Sequence, residues 1–378
     1  MANGRRCVWL VTLSLALACV AAPLRADPGI DWAKTRVCVV GLLQWQHPEY
    51  WSSFPEAMKN RRDEQLVQTF KELGVPEKNI LYLQDAQATK QRIDNRFQQL
   101  LEASHEDELL IFYFCGHGFR DRTSGQIWFA NYDAGAAAAS AWSVPSIFKT
   151  IDARFRGRKA LLMADCCYSG ALYDLARRHA DSRISYAVLT SSYSHNSSTG
   201  NWTFTDSVLT GLRGDGHVDF NHDQNIQLDE LARYTELEMA FVEGQKSMFH
   251  AGQDFSPKTG LKPVRAAARP HTGGRVEALS KDVWYKARVV EVDGPRSKVH
   301  YIGYADSYDE WLNPDHVRPY QPKTYEKNHK VSVRWRVDGQ WYPGHVLEGW
   351  NGLHLIRYDG YDESWNEWVG PKSIQPRN

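Results

Sequence analysis

Five short apolar runs separated by amphipathic segments constrain the fold of residues 35–260 more than any other feature of this sequence. The runs are RVCVVGLL, NILYLQ, ELLIFYF, KALLMAD and YAVLTSS, and they are rich in β-branched and aromatic residues. Segments with helical spacing stand between them, such as RRDEQLVQTFKELG, which stops at Gly74. Uninterrupted apolar strands that alternate with helices predict an α/β fold: a mostly parallel sheet with helices on both faces. The ligand site of such a sheet lies at the carboxyl ends of its strands.

Two of the predicted strands end in residues that carry chemistry. CGHG (115–118) follows the third run, and DCC (165–167) ends the fourth. Adjacent cysteines rarely form a structural disulfide, because their Cα atoms are too close for relaxed geometry. Alternation along an extended strand places Asp165 and Cys167 on one side and Cys166 on the other. A histidine and a thiol at neighbouring strand tips indicate nucleophilic catalysis.

Residues from about 36 to 249 resemble a caspase-fold cysteine peptidase, most closely the metacaspases. The resemblance rests on LLIFYFCGHG, DCCYSG, LQDAQAT and TGNWTFTDSVLTGL. It implies a catalytic dyad of His117 and Cys167, because the family nucleophile precedes an aromatic residue or His and then Ser-Gly. The backbone N–H groups of Gly118 and Cys167 would then hold the oxyanion. Cys115 stands where the family usually has a small hydroxyl residue.

The same resemblance implies a pocket for a basic side chain. By analogy with metacaspases, Asp165 receives the Arg or Lys that precedes the cut, and Arg can pair with a carboxylate bidentately. Asp63 stands where the family often has a second pocket acid. The alternative for Asp63 is a solvated charge in the first turn of a helix, and the sequence leaves both interpretations open.

No cofactor is predicted. DFNHDQNIQLDE matches a twelve-residue calcium loop at Asp219, Asn221, Asp223 and Glu230, but Gln224 replaces the glycine expected at position six. We interpret the segment as a structural turn before a helix. Calcium activation, known for some metacaspases, has no specific site in this sequence.

The N-terminus has the pattern of an export signal over residues 1–26. Arg5-Arg6 precede the uncharged apolar stretch VWLVTLSLALACVAA, and small residues follow it. This predicts a secreted or periplasmic protein with no transmembrane span once the signal is removed; an uncleaved anchor is the alternative. The four cysteines that would remain in so large a chain are not a disulfide framework.

Net charge limits the classes of partner, and local composition indicates where the first domain ends. The chain has 45 basic and 45 acidic residues, so we expect no nucleic-acid partner, and RNA binding gains little support. We predict a peptidase domain over residues 33–255. A Pro-, Gly- and Lys/Arg-containing linker over 256–274 follows it.

The C-terminal part contains an internal repeat with a constant offset of 57 residues. VWYKARVVEV matches QWYPGHVLEG, and VHYIGYADSYDEW matches IRYDGYDESWNEW. Short alternating runs with Gly, Asp and Asn turns predict two small all-β, SH3-like barrels, over residues 275–321 and 328–378. They resemble Tudor-knot or chromo-barrel modules.

In that family four aromatic residues can form a cage for methylated lysine. The matching residues are Tyr285, Tyr301, Tyr304 and Tyr308 in the first copy and Tyr342, Tyr358, Tyr361 and Trp365 in the second. The alternative is that these rings simply pack, since so small a barrel needs large side chains for its core. A peptide, another cationic ligand, or the peptidase region itself is a candidate partner.

These observations predict an exported cysteine endopeptidase of the metacaspase type that cleaves protein or peptide substrates after Arg or Lys. Its barrels would bind substrates or partners. The alternative from a different class is a catalytically silent caspase-like scaffold that acts through its barrels. The presence of both His117 and Cys167 favours the enzyme.

Overall fold

The computed structural model of the chain describes residues 29–193, 201–265, 275–304, 306–336 and 338–377. The signal predicted at residues 1–26 lies outside them.

The strands of the first region are β1 (Thr35–Gly41), β2 (Ile80–Gln84), β3 (Leu109–Cys115), β4 (Gly118–Arg120), β5 (Ile127–Phe129), β6 (Trp142–Ser143), β7 (Lys159–Asp165), β8 (Ser185–Thr190), β9 (Asn225–Gln227), β10 (Met248–Ala251) and β11 (Gly260–Pro263). Its helices are α1 (Pro55–Met58), α2 (Arg62–Leu73), α3 (Lys90–Glu102), α4 (Val144–Arg154), α5 (Ala171–Arg178), α6 (Thr203–Leu212) and α7 (Leu228–Glu238), which a π-helix (Met239–Glu243) continues. None of the described helices is both long and apolar enough to cross a membrane.

The central sheet has the strand order β10-β8-β7-β3-β1-β2. Its neighbours are parallel except β10, which pairs antiparallel with β8 at one edge. Alternate residues of each strand enter apolar clusters on opposite faces: Cys38 and Val40 on one, Val37 and Val39 on the other. The predicted fold class, a mostly parallel sheet covered on both faces, is confirmed.

A second, three-stranded sheet was not predicted. β4, β5 and β6 pair antiparallel directly after the third central strand. Strands of two or three residues are too short to give a periodic signal. The Ala130 N–H, directly after β5, donates to the His117 carbonyl at 2.9 Å, so this sheet fixes the backbone on one side of the candidate site.

The predicted linker begins too early. Gly260–Pro263 form β11, which pairs with β9, and Leu261 is buried in the core. The Ile30 N–H donates to the Gly260 carbonyl at 2.8 Å. Pro257 therefore precedes a packed edge strand and Pro263 ends it, and the end of the predicted linker, residues 266–274, lies outside the described part.

The segment Asp219–Glu230 is a hydrogen-bonded turn before α7. The Asp219 carboxylate accepts the N–H groups of Asp223 and Gln224, and both Glu230 oxygens accept backbone N–H groups of the same segment. Gln224 has a φ of 67°, in the region that favours glycine. The acids thus bond to the segment's own backbone, as a structural turn requires. The lack of a calcium site stays a prediction.

Two five-stranded antiparallel sheets follow, one for each repeat. The first contains β12 (Arg275–Ser280), β13 (Val283–Asp293), β14 (Arg296–Tyr301), β15 (Glu310–Leu312) and β16 (Val317–Pro319). The second contains β17 (Lys330–Arg334), β18 (Trp341–Trp350), β19 (Leu353–Tyr358), β20 (Glu367–Val369) and β21 (Ile374–Pro376). Their strand orders are equivalent, and each has a register shift at the same point of its second hairpin. We call them barrel 1 and barrel 2.

Both barrels contact the end of α7 and the π-helix. In barrel 1, Arg275 and Arg288 ion-pair with the buried Glu238. In barrel 2, Leu353 and Trp368 pack against Leu237 and Ala240. Barrel 1 makes a second contact, in which the Asp306 carboxylate accepts from Asn60 at 2.9 Å and Arg62 at 2.8 Å. The barrels therefore dock on the peptidase region through different faces.

Candidate active site and aromatic cages

His117 lies at the exit of β3, in an apolar niche. The preceding Gly116 has a φ of 145°, and a Cβ there would lie 3.0 Å from the Leu42 carbonyl oxygen. The ring centroid of His117 lies 4.5 Å from that of Trp45 and 4.7 Å from that of Phe54. Burial lowers the pKa of His117 below its ordinary value. The imidazole is thus held in its neutral form near neutral pH.

The Ser52 carbonyl sets the tautomer of this ring. His117 Nε2 is 2.8 Å from the Ser52 oxygen, and a carbonyl oxygen can only accept a hydrogen bond. Nε2 therefore carries the proton, and Nδ1 of the neutral ring is the basic nitrogen. A backbone carbonyl orients the ring here, so no side-chain pattern in the sequence could reveal it.

The two cysteines after β7 lie in different environments. Cys166 is 2% exposed and belongs to the apolar core, whereas Cys167 is half-buried. Burial raises the pKa of the Cys166 thiol well above its ordinary value, which disfavours its thiolate. Both residues border a cavity of about 110 Å³ that His117 and Asp165 also line.

Gly118 brings the two strand exits together. A Cβ at Gly118 would lie 2.0 Å from the Cys167 carbonyl oxygen, so only glycine fits here. The predicted oxyanion donors, the N–H groups of Gly118 and Cys167, thus belong to backbone segments in direct contact. Their role in catalysis stays a prediction.

Asp165 forms part of the cavity wall at the end of β7. Its carboxylate accepts a hydrogen bond of 2.7 Å from the Thr205 hydroxyl. Burial raises the pKa of Asp165 to about 7, although hydrogen bonds from Thr205 and Ser191 oppose the shift. No cation ion-pairs with Asp165 among the described residues, so a basic ligand would supply the missing counter-charge.

Neither interpretation of Asp63 agrees with the structure in full. Asp63 does lie in the first turn of α2, but it is fully buried rather than solvated. Arg61 pairs with both of its oxygens, at 2.7 and 3.1 Å, and the Tyr82 hydroxyl donates to it at 2.8 Å. Arg61 also bonds to Asp85. Asp63 is not among the residues that line the cavity, and an internal arginine two positions away compensates its charge.

One cluster in the described ranges has the donor types of a metal site. His300 Nδ1 lies 2.8 Å from Asp309 and 3.7 Å from Asp306. The other Asp306 oxygen is 2.8 Å from the Arg62 guanidinium. That fixed positive charge opposes a metal ion, so we assign no metal here.

The predicted aromatic residues of barrel 2 surround a cavity of about 170 Å³. All four predicted rings line it, together with a fifth, Trp335, whose centroid is 5.8 Å from those of Tyr358 and Trp365. Open space between the rings is not what a purely packing role requires. The arrangement suits a cation that contacts several π faces at once.

The four tyrosines of barrel 1 also lie together, but more openly. Successive ring centroids are 5.8 to 6.4 Å apart. Tyr304 and Tyr308 are 49% and 62% exposed. By strand register Ser280 corresponds to Trp335 of barrel 2, because Ala278 pairs with Tyr285 as Val333 pairs with Tyr342.

The sequence repeat concealed Trp335. The hairpin that holds it, residues 334–341, is two residues longer than its counterpart, 279–284. The constant offset of 57 begins only after this insertion, so Trp335 has no partner in the repeat. A comparison of hairpin lengths would have found it.

Comparison with known proteins supports both regions. The profile of the caspase domain family matches residues 54–254, and that of the Agenet domain family matches residues 273–322. No protein of curated function matches the chain.

Solved structures also show similarity. A protein of Geobacter sulfurreducens is 13% identical, with a TM-score of 0.43, over 61% of this chain and 97% of that one. Caspase-1 of Spodoptera frugiperda is 15% identical, with a TM-score of 0.42, over 57% and 86%. The ADCP1 tandem Agenet domain 3-4 is 21% identical, with a TM-score of 0.14, over 28% and 79%.

Proposed function

The chain belongs to the caspase-domain peptidase family, and from that premise we propose that it is a cysteine endopeptidase that cleaves after Arg or Lys. One observation carries the proposal: His117, Cys167 and Asp165 border a single cavity. A base, a nucleophile and an uncompensated acid then face the same space. The metacaspase subtype is part of this proposal.

The bond-breaking steps use the tautomer that Ser52 favours. His117 Nδ1 takes the proton of the Cys167 thiol, and the thiolate attacks the scissile carbonyl carbon. The N–H groups of Gly118 and Cys167 stabilise the tetrahedral oxyanion. His117 then protonates the leaving amine, and water activated by the same ring hydrolyses the acyl-enzyme.

Asp165 selects the substrate in this scheme. Because burial raises its pKa to about 7, the carboxyl is partly protonated at neutral pH. An Arg or Lys side chain in the cavity stabilises the carboxylate and lowers that pKa. Catalytic efficiency on basic peptides should therefore rise with pH through the neutral range.

The barrels supply binding in this proposal. Barrel 2 would take a cationic group in its five-ring cage, on a peptide or another ligand. The N-terminal segment suggests export to the periplasm or the exterior. Sequencing of the mature N-terminus tests that point, and a start near residue 27 is the expected result.

A fluorogenic peptide assay tests the enzymatic proposal. We expect hydrolysis of an Arg-coumarin peptide and none of an Asp-coumarin peptide, with no calcium requirement. Cys167→Ala should abolish the activity, and the matched Cys166→Ala should retain most of it. A silent Arg peptide, or activity that survives Cys167→Ala, would refute the assignment.

A further inference from the structure

The candidate basic pocket has a second acid, but it is not the one that the family pattern indicates. Arg61 neutralises Asp63, as described above. The second acid is Glu243, the last residue of the π-helix, which contacts residues at the start of α6. Its Oε1 accepts hydrogen bonds from Asn201 Nδ2, at 3.2 Å, and from the Thr203 hydroxyl.

Two short connections link Glu243 to the cavity. Asn201 lines the cavity directly, beside Trp202. Thr203 begins α6, and Thr205 on the same turn donates to Asp165 at 2.7 Å. The first turn of α6 therefore hydrogen-bonds to both carboxylates, which places them on two sides of one structural element.

In the part of the chain that the structure describes, neither acid has a basic partner. Among the described residues, no Lys, Arg or His nitrogen ion-pairs with Asp165 or Glu243, whereas Asp63 has Arg61. After burial itself, the negative charge of Glu243 further raises the pKa of Asp165. Two uncompensated carboxyl groups beside an accessible cavity favour a cation from outside.

Glu243 also determines which end of the Asn201 amide faces the cavity. An ionised carboxylate only accepts hydrogen bonds, so Asn201 must turn its NH₂ group toward Glu243. Because Asn201 and Asp165 both line the cavity, the amide oxygen would then serve as an acceptor for a ligand there. The five N–H donors of a guanidinium would suit a carboxylate and an amide oxygen together, whereas a compact ammonium matches such a pair less well.

Building on the proposed cleavage after basic residues, we propose that Glu243 is a positioning residue that acts through Asn201 and makes the pocket prefer arginine to lysine before the cut. Glu243 itself does not line the cavity. Its effect is to orient an amide and to add negative potential behind Asp165.

Steady-state kinetics of the full chain on paired Arg- and Lys-coumarin peptides test this inference. In Glu243→Gln, kcat/KM for the Arg peptide should fall about tenfold, mainly through KM, and that for the Lys peptide at most about threefold. Glu72→Gln removes the same charge from an exposed site on α2 and should change neither.

The pH profile separates this role from mere packing. Without the charge of Glu243 the pKa of Asp165 falls, so the acid limb of kcat/KM should move to lower pH. The other groups that face Asp165 (Tyr113 and Cys115 from β3, the adjacent Cys166, and the Thr205 and Ser191 hydroxyls) stay in place. A residue that only packs would lower Tm and leave the limb where it was.

Asn201→Ala should lose the Arg preference in the same way, and it serves as the test if Glu243→Gln does not fold. An unchanged Arg-to-Lys ratio in the folded variant, with an active parent enzyme, overturns this inference alone. A parent enzyme that cleaves no basic peptide overturns the proposed function and this inference together.

Discussion

Barrels 1 and 2 share a sheet order and a set of aromatic positions, yet they use the same surface differently. In barrel 2, Leu353 and Trp368 are buried against the peptidase region. The equivalent residues in barrel 1 are Arg296 and Trp311; Trp311 is 37% exposed, and the Arg296 guanidinium lies 5.6 Å from its ring centroid. Arginine in place of leucine on this face opposes docking on an apolar surface, because a buried unpaired charge is costly.

The two cages also differ locally: the fold around them is the same, and one wall of the cage is different. Both barrels keep a cage tyrosine whose hydroxyl donates to a carboxylate at 2.6 Å: Tyr301 to Glu310 and Tyr358 to Glu367. Only barrel 2 adds a tryptophan from a longer hairpin. The shared topology thus sets where a cage can form, while the length of one hairpin sets how well it is closed.

The largest expected difference between the barrels is the loss of stability when the tryptophan of this face is removed. Trp368→Ala should destabilise the attachment of barrel 2 by about 3 kcal/mol, because it removes a buried aromatic side chain from an apolar contact. Trp311→Ala should cost less than about 0.5 kcal/mol, as is usual for exposed positions. Chemical unfolding of both variants measures the two values, and equal values would show that Trp368 does not dock the barrel.

The closing ring of the cage gives the next largest effect. Trp335→Ser makes the wall of barrel 2 resemble that of barrel 1, and we expect affinity for a trimethyl-lysine peptide to fall about tenfold or more, because one desolvated cation–π contact is lost. Calorimetric titration measures it, with Ser280→Ala as the control that leaves affinity unchanged. Equal binding by parent and Trp335→Ser would mean that the five rings only pack.

The pH dependence of cation affinity should also distinguish barrel 2 from barrel 1, by less than the two effects above. Burial raises the pKa of Glu367 to about 7, against the hydrogen bond from Tyr358 and the nearby charge of Lys246. The carboxyl therefore gains its charge as pH rises through 7, and cation affinity should rise about threefold between pH 6 and 8.

The raised pKa of Glu367 has the opposite effect on stability: the free energy of unfolding falls where cation affinity rises. A raised acid pKa means that the folded chain binds a proton that the unfolded chain has already released, so stability falls between about pH 4.5 and pH 7. Glu367→Gln should flatten both profiles. A binding profile that keeps its slope in that variant would assign the titration to another group.

The sequence was most informative where one property repeated over many residues. Apolar runs revealed the five parallel strands of the central sheet, and a fixed offset revealed the two barrels. It was least informative where a single contact decides the outcome. The Ser52 carbonyl beside His117, the Arg61 that neutralises Asp63, and Glu243 on a π-helix all depend on which distant segments meet, and no local pattern specifies that.

Trp335 is another feature that a single contact decides. Placing a tryptophan at the corresponding position of barrel 1 should give the smallest of the expected effects. Ser280→Trp supplies the missing ring to barrel 1, but its hairpin is two residues shorter, so the ring should not reach the place that Trp335 takes. We expect at most a twofold gain in affinity for a trimethyl-lysine peptide, since an exposed cation–π contact contributes little. Replacing residues 279–284 with residues 334–341 should give the larger gain, measured by the same titration. If the single substitution already matches the graft, ring identity alone distinguishes the barrels, and loop length has no part in it.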